Sequence, residues 1–307
     1  MKKIVILTAI LLMINILKAQ TKPSVSSGII DRIEAFESKF IDARIIDIWL
    51  PENYSNQKRN AVLYMQDGQM LFDATTTWNK QAWEVDDVMA KLLLENKIQE
   101  TIVVGIWNGG KVRHATYFPQ KPFENLSLED KAIVTKKLQE KGRTTDNFVP
   151  NSDNYLKFLV QELKPFIDKK YATFSDVNHT FIAGSSMGGL ISMYAICEYP
   201  KVFGGAICMS THWPGTFETE NNPIPEAFFK YLKNNLPSPK THKIYFDNGD
   251  QTLDAMYPSL QKQVDEIMKS KDFSTTNWMT KFFAGKDHSE KSWNERLHIP
   301  LEFMLKK

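Results

Sequence analysis

Gly184-Ser185-Ser186-Met187-Gly188 sets a serine between two glycines in the spacing G-x-S-x-G. A serine hydroxyl attacks a carbonyl only when a base takes its proton and N–H donors hold the oxyanion that forms. The spacing supplies part of that apparatus. A tight turn from strand to helix lifts the serine to the carboxyl edge of a sheet, and glycines let the chain bend and the helix pack close. The same turn aims the helix N-terminus at the reaction centre. On this reading Ser186 is the nucleophile and the Met187 N–H is one oxyanion donor. Ser185, at the x position, is a neighbour, and a glycine-rich packing turn is the bland alternative. The context favours chemistry, because His179–Ala183 reads as an apolar strand and Met187–Cys197 as a helix.

The serine needs a base, and histidine is the natural one near neutral pH. In α/β-hydrolases the order along the chain is Ser, then Asp or Glu, then His. Of six histidines, His114 and His179 precede the serine. His212 follows it too soon to leave room for an acid-bearing strand. His242 opens a strand and His298 lies in the last amphipathic helix, so both read as structural or surface residues. His288 is left, in a flexible loop after the strand Trp278–Phe283 and before the final helix. The acid belongs at the end of the preceding strand, where Asp247, Asp250 and Asp254 cluster. Asp247 is still part of the strand and reads as a turn cap. Asp250 and Asp254 are both in reach of His288. Asp254 is favoured, although it also stands where a helix N-cap would.

These residues demand a particular scaffold. Ile29–Phe36 and Ala43–Leu50 alternate like an opening antiparallel hairpin. Ala61–Met65, Thr101–Ile106, His179–Ala183, Gly205–Met209, His242–Asp247 and Trp278–Phe283 are short apolar runs that read as strands covered on both faces. Helical spacing appears in Trp83–Leu94, Tyr155–Ile167, Met187–Cys197, Leu260–Met268 and Trp293–Leu305. The alternation implies an α/β fold, a mostly parallel central sheet with helices on both faces. Residues 119–153 break the pattern: they are polar, charged and long for a connection. They read as an insertion or lid near the site, or as a solvated excursion.

The chain has 307 residues, enough for one large domain over residues 21–307. Its net charge is +2, with 38 basic and 36 acidic residues interspersed, so it lacks the concentrated basic face of a nucleic-acid binder. Residues 1–20 read as a signal peptide: a Met1-Lys2-Lys3 start, an apolar run from Ile4 to Leu17, and Ala19 near a cleavage point. The run is short for a membrane span. This places the mature chain in the periplasm or outside the cell, with an uncleaved anchor as the alternative. Cys197 and Cys208 sit in apolar stretches and read as buried free thiols. No H-E-x-x-H or similar spacing calls for a metal, and the chemistry needs no organic cofactor.

Four segments together resemble the putative esterase family, which includes esterase D, enterobactin esterases, and feruloyl and acetyl-xylan esterases. They are Leu63–Asp73, Val103–Asn108 with Arg113, Tyr117 and Pro119, the elbow Gly184–Gly189, and Gly285–Glu290 with Trp293 and Arg296-Leu297. The resemblance implies an α/β-hydrolase fold and a serine esterase. Members similar to this chain carry Gly-x-x-Thr-Leu-Asp, matched here by Gly249–Asp254. That favours Asp254, while other branches place the acid nearer the glycine, as Asp250 is. The likeness also implies a second oxyanion donor near Gln69. Trp107, Asn108, Arg113 and Trp213 fall on the expected pocket side. Arg113 would bind a carboxylate or sugar hydroxyls, or form an ion pair. The two tryptophans would stack on a sugar or aromatic acyl group, or pack in the core. The expected partner is a small-molecule or saccharide-linked ester. An acyltransferase and a non-catalytic carbohydrate- or siderophore-binding module are the other classes this fold accommodates.

Overall fold

A computed structural model describes residues 21–307; the expected signal peptide lies outside the described residues. Eight strands form one sheet: β1 (Ile29–Phe36), β2 (Arg44–Leu50), β3 (Ala61–Met65), β4 (Thr101–Ile106), β5 (Thr180–Ser185), β6 (Gly205–Met209), β7 (Lys243–Asn248) and β8 (Trp278–Phe282). Their order is β1-β2-β4-β3-β5-β6-β7-β8. The opening pair is antiparallel, and β2 also runs against β4. All remaining pairs are parallel. The expected architecture, a mostly parallel sheet with an antiparallel opening hairpin, is the one observed.

Each central strand is apolar throughout because both its faces are covered. In β3, Val62 and Tyr64 join one core cluster, while Ala61, Leu63 and Met65 join the other. The first cluster also holds Leu190 and Met193 of the helix Met187–Glu198 and Phe228 of the helix Ile224–Asn235. The second holds Met89 of the helix Val85–Leu94 and Leu301 of the helix His298–Leu305. Among the described residues, no helix is long and apolar enough to cross a membrane.

Three elements differ from the sequence reading. Trp293–Leu305 is two helices, Glu290–Arg296 and His298–Leu305, meeting at Leu297. The Tyr155–Ile167 helix begins at Ser152, widens to a π-helix over Phe158–Leu163 and continues to Lys170. Pro165 has no N–H to close a regular turn, which suits the widening just before it. Residues 119–153 contain two helices, Gln120–Glu124 and Leu128–Glu140. Ser127 caps the second by accepting from the Asp130 N–H. Phe123, Val134, Leu138 and Phe148 anchor the segment in the first core cluster. Cys197 and Cys208 are buried and unbridged.

Candidate active site

The turn after β5 is sharp. Ser186 has φ 57° and ψ −124°, a sparsely populated conformation for a non-glycine residue. Its flanks must be small: a Cβ on Gly184 would stand 2.6 Å from the Gly188 carbonyl carbon. The turn is held open from two sides, because the Ser186 N–H donates to the Met209 carbonyl and the Ser186 carbonyl accepts from the His212 N–H. Ser186 is 9% exposed and lines a cavity of about 1080 Å³ at the carboxyl end of the sheet.

Two backbone N–H groups belong to residues that line that cavity. One belongs to Met187, the first residue of the helix, where N–H groups have no acceptor within the helix. The other belongs to Gln69, in the short turn Gly68–Met70 after β3. Gly68 lets that turn lie on β4, since a Cβ there would come within 2.7 Å of the Gly105 carbonyl carbon. The Gln69 side-chain carbonyl accepts from the Asn108 N–H at 3.2 Å.

Asp254 and His288 meet. Asp254 Oδ1 lies 2.5 Å from His288 Nδ1, and Asp254 is wholly buried. Its Oδ2 accepts from the Ser210 hydroxyl and the Gly249 N–H, each at 2.7 Å. The histidine loop is stitched to the acid loop by backbone: the Asp250 and Gln251 N–H groups donate to the Lys286 carbonyl, and the His288 N–H donates to Thr252 Oγ1. Asp250 stands outside this pair. Its carboxylate accepts from the Gly285 N–H at 2.8 Å and so shapes the loop that carries His288. Trp293 meets the His288 ring edge-to-face, with centroids 4.9 Å apart. Asp254 thus fixes which His288 nitrogen bears the proton, and the free nitrogen can serve as a base.

Asp247 does not cap the turn after β7. It is buried at the strand end and pairs with Arg296 at 3.1 Å, while the Tyr245 hydroxyl and Ser210 N–H also donate to it. Burial pushes the Asp247 carboxyl up from its ordinary range, and Arg296 opposes that shift.

The residues expected to bind substrate divide. Asn108 and Arg113 line the cavity. Both are tied to Asp67: Arg113 makes a two-pronged ion pair with it at 2.6 and 2.8 Å, and the Asn108 amide donates to it. Trp107 and Trp213 are not cavity residues. Trp107 turns its ring under Arg32 and donates to Asp47. Trp213 is fully buried, packs on Phe229 and Phe246, and donates to Gln261. A tryptophan that can satisfy its indole N–H inside the fold has no need of the cavity. The aromatic at the mouth is Trp78 instead, lining the cavity while 84% exposed. Gly142–Thr145, from the 119–153 segment, forms part of another wall, where Arg143 lies over the Phe217 ring.

Sequence reasoning also missed Ser210, His212 and Tyr257. Ser210 accepts from Trp293 and Arg296 and donates to Asp254, so one hydroxyl ties three segments together. Tyr257 is buried, and its hydroxyl lies 2.7 Å from His212 Nδ1. Burial pushes His212 well below and Tyr257 well above their ordinary ranges, so both stay neutral. The only sequence cue was chain position, because both follow strand ends on the site's edge of the sheet.

The chain matches the family described as Putative esterase over residues 40–301 and belongs to it. It is therefore a carboxylic ester hydrolase. It is similar to the uncharacterized protein YbbA of Bacillus subtilis, with 24% identity over 273 residues, 86% of this chain and 93% of that one. A solved ferulic acid esterase superposes with a TM-score of 0.62 at 19% identity, over 90% of this chain and 96% of the other. The enterobactin esterase FES from Shigella flexneri also superposes with a TM-score of 0.62, at 16% identity, over 92% of this chain and 60% of the other. These two structures carry the α/β-hydrolase fold.

Proposed function

We propose that the protein is an exported serine esterase working through Ser186, His288 and Asp254. The observation that carries this reading is the buried Asp254 carboxylate 2.5 Å from His288 Nδ1, in a loop beside the strained Ser186 elbow. His288 takes the Ser186 proton as Oγ attacks the ester carbonyl. The Met187 and Gln69 N–H groups hold the oxyanion. The intermediate collapses to an acyl-enzyme, and His288 returns the proton to the leaving alcohol. Water, activated by the same imidazole, then releases the acid.

For substrate, we favour an ester carried on a saccharide. The cavity is large, its mouth presents an exposed indole, and its walls carry Asn79, Gln81, Thr144 and Thr145 as polar partners. The similarity to a ferulic acid esterase supports the same choice. A substrate panel tests it: turnover of feruloyl or acetyl sugar esters is expected, and turnover of a siderophore ester alone would contradict it. Export rests on residues 1–20. The N-terminus of protein recovered from the periplasm or medium should begin just after Ala19 or Gln20.

The catalytic reading is tested by hydrolysis of a short-chain nitrophenyl ester. Turnover by the mature chain that collapses in Ser186→Ala is expected. Equal turnover in both would overturn Ser186 as nucleophile.

A further inference from the structure

Arg32, Arg113 and Arg296 each present the Nε–Nη2 edge of the guanidinium to one aspartate, respectively Asp47, Asp67 and Asp247. Arg44, only 6% exposed, does not. Its Nη1 donates to the Asp42 and Ala43 carbonyls at 2.8 and 3.1 Å. Its Nε is buried without a hydrogen-bond partner. Among the described residues Nη2 has no partner either, and no carboxylate pairs with the group. Arginine keeps its charge inside a protein, and a buried charge without a counter-charge is costly. The two carbonyls offset part of that cost but bring no net charge.

Arg44 opens β2 and lies against the turn at Gly109. A Cβ on Gly109 would stand 2.7 Å from Nη2, so the bare backbone there makes room for the guanidinium. Arg44 lines a second cavity, of about 520 Å³, together with Lys39, Asp42, Val112 and Val149. That volume suits a small molecule. The cavity has no lining residue in common with the catalytic one: Asn108, Gly110 and Arg113 line the larger space and Val112 the smaller, so one loop divides them. Val112 is 44% and Val149 70% exposed, which leaves apolar surface for a ligand to cover. Asp42 is the acid in this wall, and Arg44 takes its backbone carbonyl rather than its carboxylate.

We propose that this cavity is a second binding site, which takes a small organic carboxylate. Arg44 holds the carboxylate through its unpaired Nε–Nη2 edge, whose two N–H groups match two carboxylate oxygens. Lys39 adds positive charge, and Val112 and Val149 cover the apolar body of the ligand. Inorganic phosphate would satisfy the same edge and leave the valines bare. A sugar acid would satisfy it and set hydroxyls against them. The site is independent of which residue is the nucleophile.

The test is calorimetric titration of the whole chain with benzoate, glucuronate and inorganic phosphate, in a buffer free of other oxyanions. Benzoate should bind, and more tightly than the other two. Arg44→Gln should weaken benzoate about ten- to a hundredfold, the worth of hydrogen bonds to a charged group. Arg44→Lys keeps the charge without the fork and should recover only part of that loss. Lys39→Ala should weaken it about two- to fivefold, as an exposed charge does. Asp42→Asn should leave it equal or tighter. Absence of benzoate binding, unchanged affinity in Arg44→Gln, or weaker binding in Asp42→Asn would overturn the proposal. Tighter binding of phosphate or glucuronate than of benzoate would overturn the choice of an apolar carboxylate. If Arg44→Gln does not fold, Val149→Glu sets a negative charge at an exposed position of the same wall, and unchanged benzoate affinity there would overturn the site.

Discussion

Asp247 and Asp254 stand at the same end of β7, both wholly buried, and hold different partners. Asp247 has both oxygens filled by groups that do not change: the Arg296 guanidinium, the Tyr245 hydroxyl and the Ser210 N–H. Asp254 fills one oxygen with Ser210 and Gly249 and gives the other to His288. An arginine is always charged, so the first pair is a brace between β7 and the last helices. An imidazole near neutral pH can gain and lose a proton, so the second pair can turn over. Ser210 joins them, with its N–H on Asp247 and its hydroxyl on Asp254. The partner, rather than the acid, decides which carboxylate is available for chemistry.

The comparison is sharpest in paired substitutions. Asp254→Asn should lower kcat about 10⁴-fold, because His288 is then held in the wrong tautomer. Its melting temperature should move far less than its rate, and comparable losses in both would erase the distinction. Asp247→Asn should do the reverse. It strands the Arg296 charge in the interior and should cost about 3–5 kcal/mol in denaturant unfolding, with kcat per folded molecule largely kept. Asp250→Asn keeps an acceptor for the Gly285 N–H and should cost less than about tenfold in kcat. A loss matching that of Asp254→Asn would reassign the acid.

Away from the buried network, effects should be smaller and appear in KM. Trp78→Ala should raise KM for an aryl or sugar ester about two- to tenfold with unchanged stability, since so exposed a ring adds little to folding. An unchanged KM would remove Trp78 from the binding surface. Burial pushes the thiols of Cys197 and Cys208 up from their ordinary range, so neither should react with a disulfide reagent until the chain unfolds.

What the sequence made legible was local. The elbow is five consecutive residues, its strand and helix are continuous apolar runs, and His288 was found by its place after the last strand. The likeness of Gly249–Asp254 to the family's Gly-x-x-Thr-Leu-Asp stretch favours Asp254, the acid that lies beside His288, and leaves Asp250 open. What it hid depends on segments far apart in the chain. Ser210, His212 and Tyr257 matter because β6 and β7 are neighbours and their loops converge on the elbow. Trp107 and Trp213 follow strand ends, but each finds a buried partner for its indole N–H, which no spacing reveals. The helix Leu128–Glu140 was missed because its apolar stripe is thin, with Val134 and Leu138 its buried aliphatic residues.

The most direct measurement of the central claim is the site of acylation. The protein would be quenched in acid during turnover of an aryl ester, digested, and its peptides weighed. The account predicts one acyl group on Ser186, absent in Ser186→Ala and accumulating in a variant with slowed deacylation. An acyl group on Ser185 or any other residue would contradict it, as would turnover with no covalent intermediate under any condition that slows deacylation.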